Sequence, residues 1–322
     1  GSFGNAFVDK ILNSKNLQKK IIIFSREELK QFEMEKKYTN FRNKNILRFF
    51  IGDIRDKERL TRALDGVDIV VHAAALKQVP VAEYNPFEAI KTNIIGTQNL
   101  IESAIDKNVK KIISLSTDKA ASPINLYGAT KLCADKLMIS ANNIKGKNPI
   151  SFSVVRYGNV MGSRGSVIPL FLKQSKKNLF TITDKRMTRF NISLDKAVEM
   201  VIWSIKNCVG GEIVVPKIPS YNIIKLARAI NPDAKIKFTG IRPGEKIHEE
   251  LITKSDSQNT FDVGLFYLIL PTENKIIINN FKNKVKKIKK VKENFYYSSD
   301  NNDHFLSIKD LKLAIKKNLN LV

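Results

Sequence analysis

Residues 110–131 read KKIISLSTDKAASPINLYGATK. Lys110–Ser114 form a short apolar run of the kind that fills a buried strand, and from Leu126 the residues read as a helix. A strand that ends on a polar turn and leads into a helix is half of a βαβ unit. Working outward, the same alternation recurs. Lys20–Phe24 (KIIIF), Leu47–Ile51 (LRFFI), Asp68–His72 (DIVVH) and Ser151–Arg156 (SFSVVR) read as further buried strands. Helical patterns lie near Gly4–Leu12, Arg26–Lys36, Asp56–Leu64, Phe87–Asp106 and Leu126–Asn142. The alternation predicts an α/β fold of Rossmann type: a doubly wound parallel sheet, right-handed crossovers, and a ligand at the carboxyl ends of the strands. Beyond about residue 160 the pattern loosens, and Pro169, Pro216, Pro219, Pro232, Pro243 and Pro271 punctuate it. The expected division is a dinucleotide-binding domain over 1–160 and a smaller substrate lobe over 161–322, with segments returning to the core.

The composition suits a soluble globular chain: 43% hydrophobic and 27% charged over 322 residues. There is no apolar run of about 18 residues for a membrane span, and Gly1–Lys10 carries no signal peptide. Cys133 and Cys208 are far apart and not spaced as metal ligands, which points to a reducing cytoplasm and no metal site. The net charge of +24, from 55 Lys+Arg against 31 Asp+Glu, raises nucleic-acid binding. The lysines are scattered among asparagines, and the densest run, FKNKVKKIKKVK at Phe281–Lys292, holds one aromatic residue and no base-stacking pattern. Solvation, with some attraction for anionic substrates, is the better reading.

The chain opens at Gly1-Ser2-Phe3-Gly4, which resembles the last two glycines of a nucleotide-binding turn entering a helix. A strand and the first part of that turn are expected before it, the alternative being that Gly1-Ser2 was left by cloning. At the end of the second strand an acidic residue would hold the ribose 2′-hydroxyl of NAD. Here stand Ser25 and Arg26, with Lys30 further on, groups that suit a 2′-phosphate and favour NADP. Asp53, after the next strand, fits the adenine amino group or the cap of the following helix. His72-Ala73-Ala74-Ala75 lets backbone pass close to a cofactor, although His72 itself reads as a packed histidine. Lys77 lies on the following loop, and Asn93 reads as a polar group fixing a kink or a water in a long helix.

The chemistry is densest in Ser116–Lys131. Tyr127 and Lys131 are four apart and share a helix face. An adjacent ammonium lowers a phenol's pKa and prepares it to exchange a proton with a sugar hydroxyl as hydride leaves the carbon. A plain dehydrogenase needs only the Thr117 hydroxyl beside that pair. The adjoining Asp118-Lys119 supplies an acid and a base for a second reaction. Once C4 of a hexose is a ketone, its C5 proton is acidic; Lys119 can remove it and Asp118 can protonate the leaving C6 hydroxyl. Gly158, Gly162 and Gly165 in Arg156–Pro169 can wrap a diphosphate, and Arg164, Arg186, Arg189 and Arg242 offer fork-shaped donors.

STDKAASPINLYGATK, with HAAALKQVPVAEYNP before it and RYGNVMGSRGSVIP, ITDKRMTRF, GGEIVVPKIPS and GIRPGEKIHE after it, resembles the inverting UDP-N-acetylglucosamine 4,6-dehydratases of pseudaminic acid synthesis, extended short-chain dehydrogenases/reductases. The resemblance runs from Gly1 almost to the C-terminus. It implies C4 oxidation with NADP, loss of water across C5–C6, return of hydride to C6 and C5 reprotonation on the opposite face. It also implies that Lys119 is the C5 base, Asp118 the acid, Thr117 the O4 contact, and Tyr127 with Lys131 the redox pair. Relatives that retain C5 configuration, and some other inverting ones, carry methionine where this chain has Tyr127, so tyrosine favours the pseudaminic branch. Asn159, Arg164 and Arg242 resemble positions contacting substrate or cofactor. The candidate set is completed by Ile54, Ala73, Leu115 and Ser116 toward the cofactor, Lys77 toward both ligands, and Val160, Thr188 and Asn301 toward UDP-N-acetylglucosamine. A homo-oligomer is expected. The competing readings are a UDP-hexose 4-epimerase, which needs Thr117, Tyr127 and Lys131 but not Asp118-Lys119, and a non-catalytic nucleotide-binding protein.

Overall fold

In a computed structural model, which describes residues 1–14, 20–162, 166–271, 275–285 and 288–319, the apolar runs become strands: β1 (Ile21–Ser25), β2 (Leu47–Ile51), β3 (Ile69–His72), β4 (Lys111–Thr117) and β5 (Ser151–Tyr157). β1 and β2 pair in parallel as a sheet of their own. β3, β4 and β5 pair in parallel in that order, and β6 (Ile213–Pro216) adds in parallel to β5. Past β6 the sheet becomes antiparallel through β7 (Thr260–Asp262), β8 (Phe266–Ile269) and β9 (Lys289–Lys290), in the order β9-β7-β8-β6-β5-β4-β3. The α/β expectation is borne out. The sheet is mixed at its far edge because the second half of the chain returns to it in tight antiparallel turns.

β4 and β5 are central, so both of their faces are covered. Ile112, Ile113, Phe152, Val154 and Val155 are fully buried, each worth about 1.5–3 kcal/mol relative to exposure. The Leu126–Ile144 helix packs on these strands. It starts where it does because the Asn125 side chain accepts a hydrogen bond from Gly128 N at 2.8 Å. The helix expected over Phe87–Asp106 is continuous but contains a π turn at Lys91–Ile95. Asn93 lies in that turn. Its side chain accepts from Leu76 N at 2.8 Å and donates to Leu76 O and Thr130 Oγ1, each at 2.9 Å. One amide thereby ties the loop after β3 to two helices. Such π turns are most often found near functional sites.

The helix Lys57–Ala63 is capped by Asp56, which accepts from Arg59 N at 2.9 Å. Asp53, read from sequence as a possible cap, stands too far ahead of it and turns back to Arg55 instead. A smaller lobe holds a three-stranded sheet of Ser220–Asn222, Thr188–Ile192 and Asn159–Val160. Its core gathers Ile168, Phe171, Phe180, Leu226 and Leu311. Asn159–Val160 follows directly on β5, so the two sheets meet where the Ser116–Lys131 segment turns.

Candidate active site

β4 ends on Thr117, and Asp118–Ala120 form a single 3-10 turn. The helix carrying Tyr127 and Lys131 presses closely on that turn. A Cβ added at Gly128 would stand 2.2 Å from the Lys119 carbonyl oxygen. Gly158 is similarly confined: a Cβ there would lie 2.6 Å from Phe190 Cβ and 3.2 Å from Asp118 Oδ2. Two glycines thus let three elements converge on Asp118 and Lys119. Because the atom opposing Gly128 is backbone, Gly128→Ala is expected to lower stability by about 1–3 kcal/mol and to displace Lys119. A fall in the thermal midpoint together with lost turnover checks this; an unchanged midpoint would mean that the turn can move aside.

Asp118 is fully buried. Its Oδ1 accepts from Thr117 Oγ1 at 3.0 Å and from Lys119 Nζ at 3.1 Å, whereas Oδ2 is buried without a hydrogen-bond partner among the described residues. Burial raises its pKa from the ordinary carboxylate value, against the pull of Lys119. This favours a protonated acid. Lys119 also meets Glu249 Oε1 at 2.9 Å. Burial alone would lower the lysine's pKa, but Asp118 and Glu249 outweigh it and the net shift is upward. In this arrangement Lys119 is an ammonium ion and must shed a proton before it can act as a base. Burial likewise raises Glu249, but Lys119 and Arg189 more than reverse it, so Glu249 is the ionised carboxylate.

The Tyr127 phenol is pushed up to about 12 by burial, opposed by Lys119 and by a hydrogen bond with Thr117. The sequence reading gave that tuning role to Lys131. Here Lys131 Nζ donates to Leu115 O at 2.8 Å, and the strongest cationic pull on the phenol comes from Lys119. Burial lowers the pKa of Lys131. Ser116 Oγ donates to Asp135 Oδ2 at 2.7 Å, and Arg156 Nη2 stands 3.3 Å from the same oxygen. Ser116 therefore offers its side chain to a buried network under the site. His72 is the packed histidine expected: Nε2 lies 3.3 Å from Thr97 Oγ1, and burial, helped by Lys131, lowers its pKa to about 3.

A second group collects at the carboxyl ends of β1 and β2. Arg26 Nη1 lies 3.6 Å from Asp53 Oδ2, which also receives Arg55 Nη2 at 2.7 Å. Ser25 Oγ accepts from Gln31, and Lys30 pairs with Glu27. Gly1 caps the Ser2–Leu12 helix, and an added Cβ at Gly1 or Gly4 meets nothing within 4 Å. Ile54 is buried against Gly96. Ala73 and Lys77 lie exposed after β3.

The substrate candidates are more scattered. Asn159 and Val160 pair with Asn191 and Ile192, and Arg242 is exposed on a loop. Thr188 is buried, its hydroxyl 2.8 Å from His248 Nδ1 and 2.7 Å from Ser299 Oγ. Asn301 spends its side chain in a turn, accepting from Ser298 N at 2.9 Å and donating to Tyr296 O at 3.2 Å. Of the arginines read as phosphate donors, Arg189 binds the carbonyls of Thr188, Lys246 and Ile247, and Arg186 closes a turn with Asp184. Arg164 and Gly165 lie outside the described residues.

The family described as "Polysaccharide biosynthesis protein" matches residues 1–271. The chain belongs to it. An inverting UDP-N-acetylglucosamine 4,6-dehydratase of Campylobacter jejuni (serotype O:23/36) is 52% identical over 97% of this chain and 93% of its own length. This bears out the resemblance carried by Ser116–Lys131 and its flanks. A family relative named UDP-glucose 4-epimerase, from Rickettsia canadensis, is 43% identical over 84% of this chain and 80% of its own. The solved structure of Pen from Bacillus thuringiensis superposes with a TM-score of 0.87 at 39% identity, covering 100% of this chain and 96% of that one. Membership of the family agrees with the extended short-chain dehydrogenase/reductase fold described above.

Two parts of the site were not read from sequence. Asp135 had a signal, since it continues the four-residue spacing of Tyr127 and Lys131 along one helix face. Glu249 closes the GIRPGEKIHE motif far along the chain, but no spacing links it to the site, and only the tertiary fold brings it to Lys119.

Proposed function

We propose that this protein is an NADP-dependent UDP-N-acetylglucosamine 4,6-dehydratase that inverts C5. Its product would be UDP-2-acetamido-2,6-dideoxy-β-L-arabino-hex-4-ulose, the first intermediate toward pseudaminic acid for flagellin or surface glycosylation. The observation that carries the reading is the buried acid–ammonium–carboxylate group Asp118, Lys119 and Glu249 beside Thr117 and Tyr127. C4 oxidation alone has no use for it. In the accompanying reading, 1–160 is the NADP domain and 161–322 mainly the substrate lobe, in a cytoplasmic homo-oligomer that binds neither nucleic acid nor membrane. Among the described residues no helix is long and apolar enough to cross a membrane.

The residues present fit the dinucleotide. The end of β1 offers Ser25 and the half-exposed Arg26 rather than a carboxylate, and the methyl groups of Ala73–Ala75 leave room after β3. When bound, a nicotinamide supplies a hydride acceptor and donor. Tyr127, once ionised to the phenolate, takes the proton of the C4 hydroxyl, which Thr117 orients. Lys119, once neutral, takes the C5 proton, whose acidity comes from the C4 ketone. Asp118 gives its proton to O6, which leaves as water. Arg26→Ala is expected to weaken NADP binding by about tenfold or more, the scale of one charge-assisted contact, while NAD binding changes little. Calorimetric titration of both dinucleotides checks this; equal losses would remove the 2′-phosphate assignment.

The epimerase reading is kept because a relative bears that name. Mass spectrometry after incubation with UDP-N-acetylglucosamine separates the two, since a dehydratase product is lighter by one water and a C4 epimer is not. Epimer alone would overturn the dehydratase reading.

A further inference from the structure

The GEKIHEE segment is stitched to the catalytic turn at several points. Lys246 Nζ donates to Ala121 O at 2.6 Å, Asn125 Nδ2 donates to Gly244 O at 2.8 Å, and Ser122 Oγ donates to Glu250 Oε2 at 2.7 Å. Arg189 donates to the carbonyls of Lys246 and Ile247 at 3.0 and 2.8 Å. Glu249 is fixed through its backbone, donating from N to Ser299 Oγ at 2.9 Å and accepting at O from Ser299 N at 2.7 Å. The Glu249 side chain is 2% exposed as a residue, with Oε1 2.9 Å from Lys119 Nζ and 3.7 Å from Arg189 Nε, and Oε2 buried without a hydrogen-bond partner among the described residues. Burying a carboxylate is costly unless it is paired, and of its two cations Lys119 stands the nearer.

We propose that Glu249 is a positioning residue for Lys119, fixing Nζ beside Asp118 and accepting the proton that Lys119 must release before it takes one from sugar C5. The proposal rests on the dehydratase reading. An N–H bond of the ammonium breaks and an O–H bond forms on Glu249, leaving both groups neutral. The freed lone pair on Nζ then forms an N–H bond with the C5 proton as the C5–H electron pair moves toward the C4 ketone. Asp118 cannot be the acceptor, because it must keep its own proton for O6. The charged and titratable groups around Lys119 are Asp118, Glu249, Arg189, Lys246, Tyr127 and Tyr221. Among them Glu249 is the carboxylate held ionised.

The test is Glu249→Gln in the full chain. At neutral pH, turnover to dehydrated product is expected to fall about a hundredfold, in the range of a lost acid–base group, with KM for UDP-N-acetylglucosamine within about threefold. Single-turnover C4 oxidation, read from nicotinamide absorbance, should persist and would show an intact fold. The variant's rate should climb about tenfold per pH unit, because the Lys119 proton must now leave to solvent. Glu249→Asp, which keeps a carboxylate, should regain at least about tenfold over the glutamine variant. A loss of equal size at every pH, no loss, or no recovery with aspartate overturns the proposal alone. Absence of dehydrated product from the unaltered protein overturns the dehydratase reading and this proposal with it.

Discussion

Lys119→Ala is expected to abolish dehydration while sparing the first oxidation. Turnover to the 4-keto-6-deoxy product should fall by about a thousandfold, within the range for loss of a general base, and single-turnover reduction of the nicotinamide should remain. The reason is positional. Lys119 Nζ lies in a closed group with Asp118 Oδ1 at 3.1 Å and Glu249 Oε1 at 2.9 Å, while the proposal gives the O4 chemistry to Thr117 and Tyr127. Removing the amine takes away the cation that pulls the Asp118 pKa down and leaves the Glu249 charge that pushes it up, so the acid keeps its proton more firmly. Asp118, already raised by burial, is the group that holds it. The acid survives and the base does not. Rapid-mixing absorbance paired with product analysis checks the split. If oxidation vanished together with dehydration, Lys119 would be acting on the C4 step and the division of labour would be wrong.

Tyr127→Phe should behave in the opposite way. Here oxidation itself is expected to fall by about a thousandfold, and the dehydrated product should fall with it, because no ketone forms to acidify C5. Binding of the UDP-sugar should be nearly unchanged. The phenol is buried and held up at about 12, with Lys119 and Thr117 pulling against burial. Phenylalanine keeps the packing with Ala82 and Ala89 and removes only the hydroxyl. Retained binding with a flat nicotinamide signal supports the assignment; retained oxidation would pass the O4 proton to another group, Thr117 being the nearest.

The parts of this site that were legible in the sequence are the local ones. Of the apolar runs that became β1–β5, β4 and β5 declared themselves because central parallel strands are apolar on both faces, and β1–β3 because short apolar runs alternate there with helical patterns. Thr117, Asp118, Lys119, Tyr127 and Lys131 could be read because a strand end, a turn and one helix face are set by short spacings. Asn93 could be read as a polar group inside an apolar helix, and it proved to pin Leu76. What escaped is non-local. The approach of Glu249 to Lys119 depends on Arg189 and Ser299 holding a distant segment in place. The direction of Lys131 depends on the Leu115 carbonyl, which spacing alone does not reveal. Arg189, which looked like a phosphate fork, was found tying backbone carbonyls, since a guanidinium serves carbonyl oxygens as readily as phosphate oxygens. The antiparallel edge β7–β9 escaped because short strands between prolines and glycines resemble loops.

The measurement that bears most directly on the whole account is proton NMR of UDP-N-acetylglucosamine incubated with the protein in deuterated water. The account predicts a 4-keto-6-deoxy sugar carrying deuterium at C5 in the arabino configuration. An unlabelled C4 epimer, or no change in the sugar at all, would contradict it.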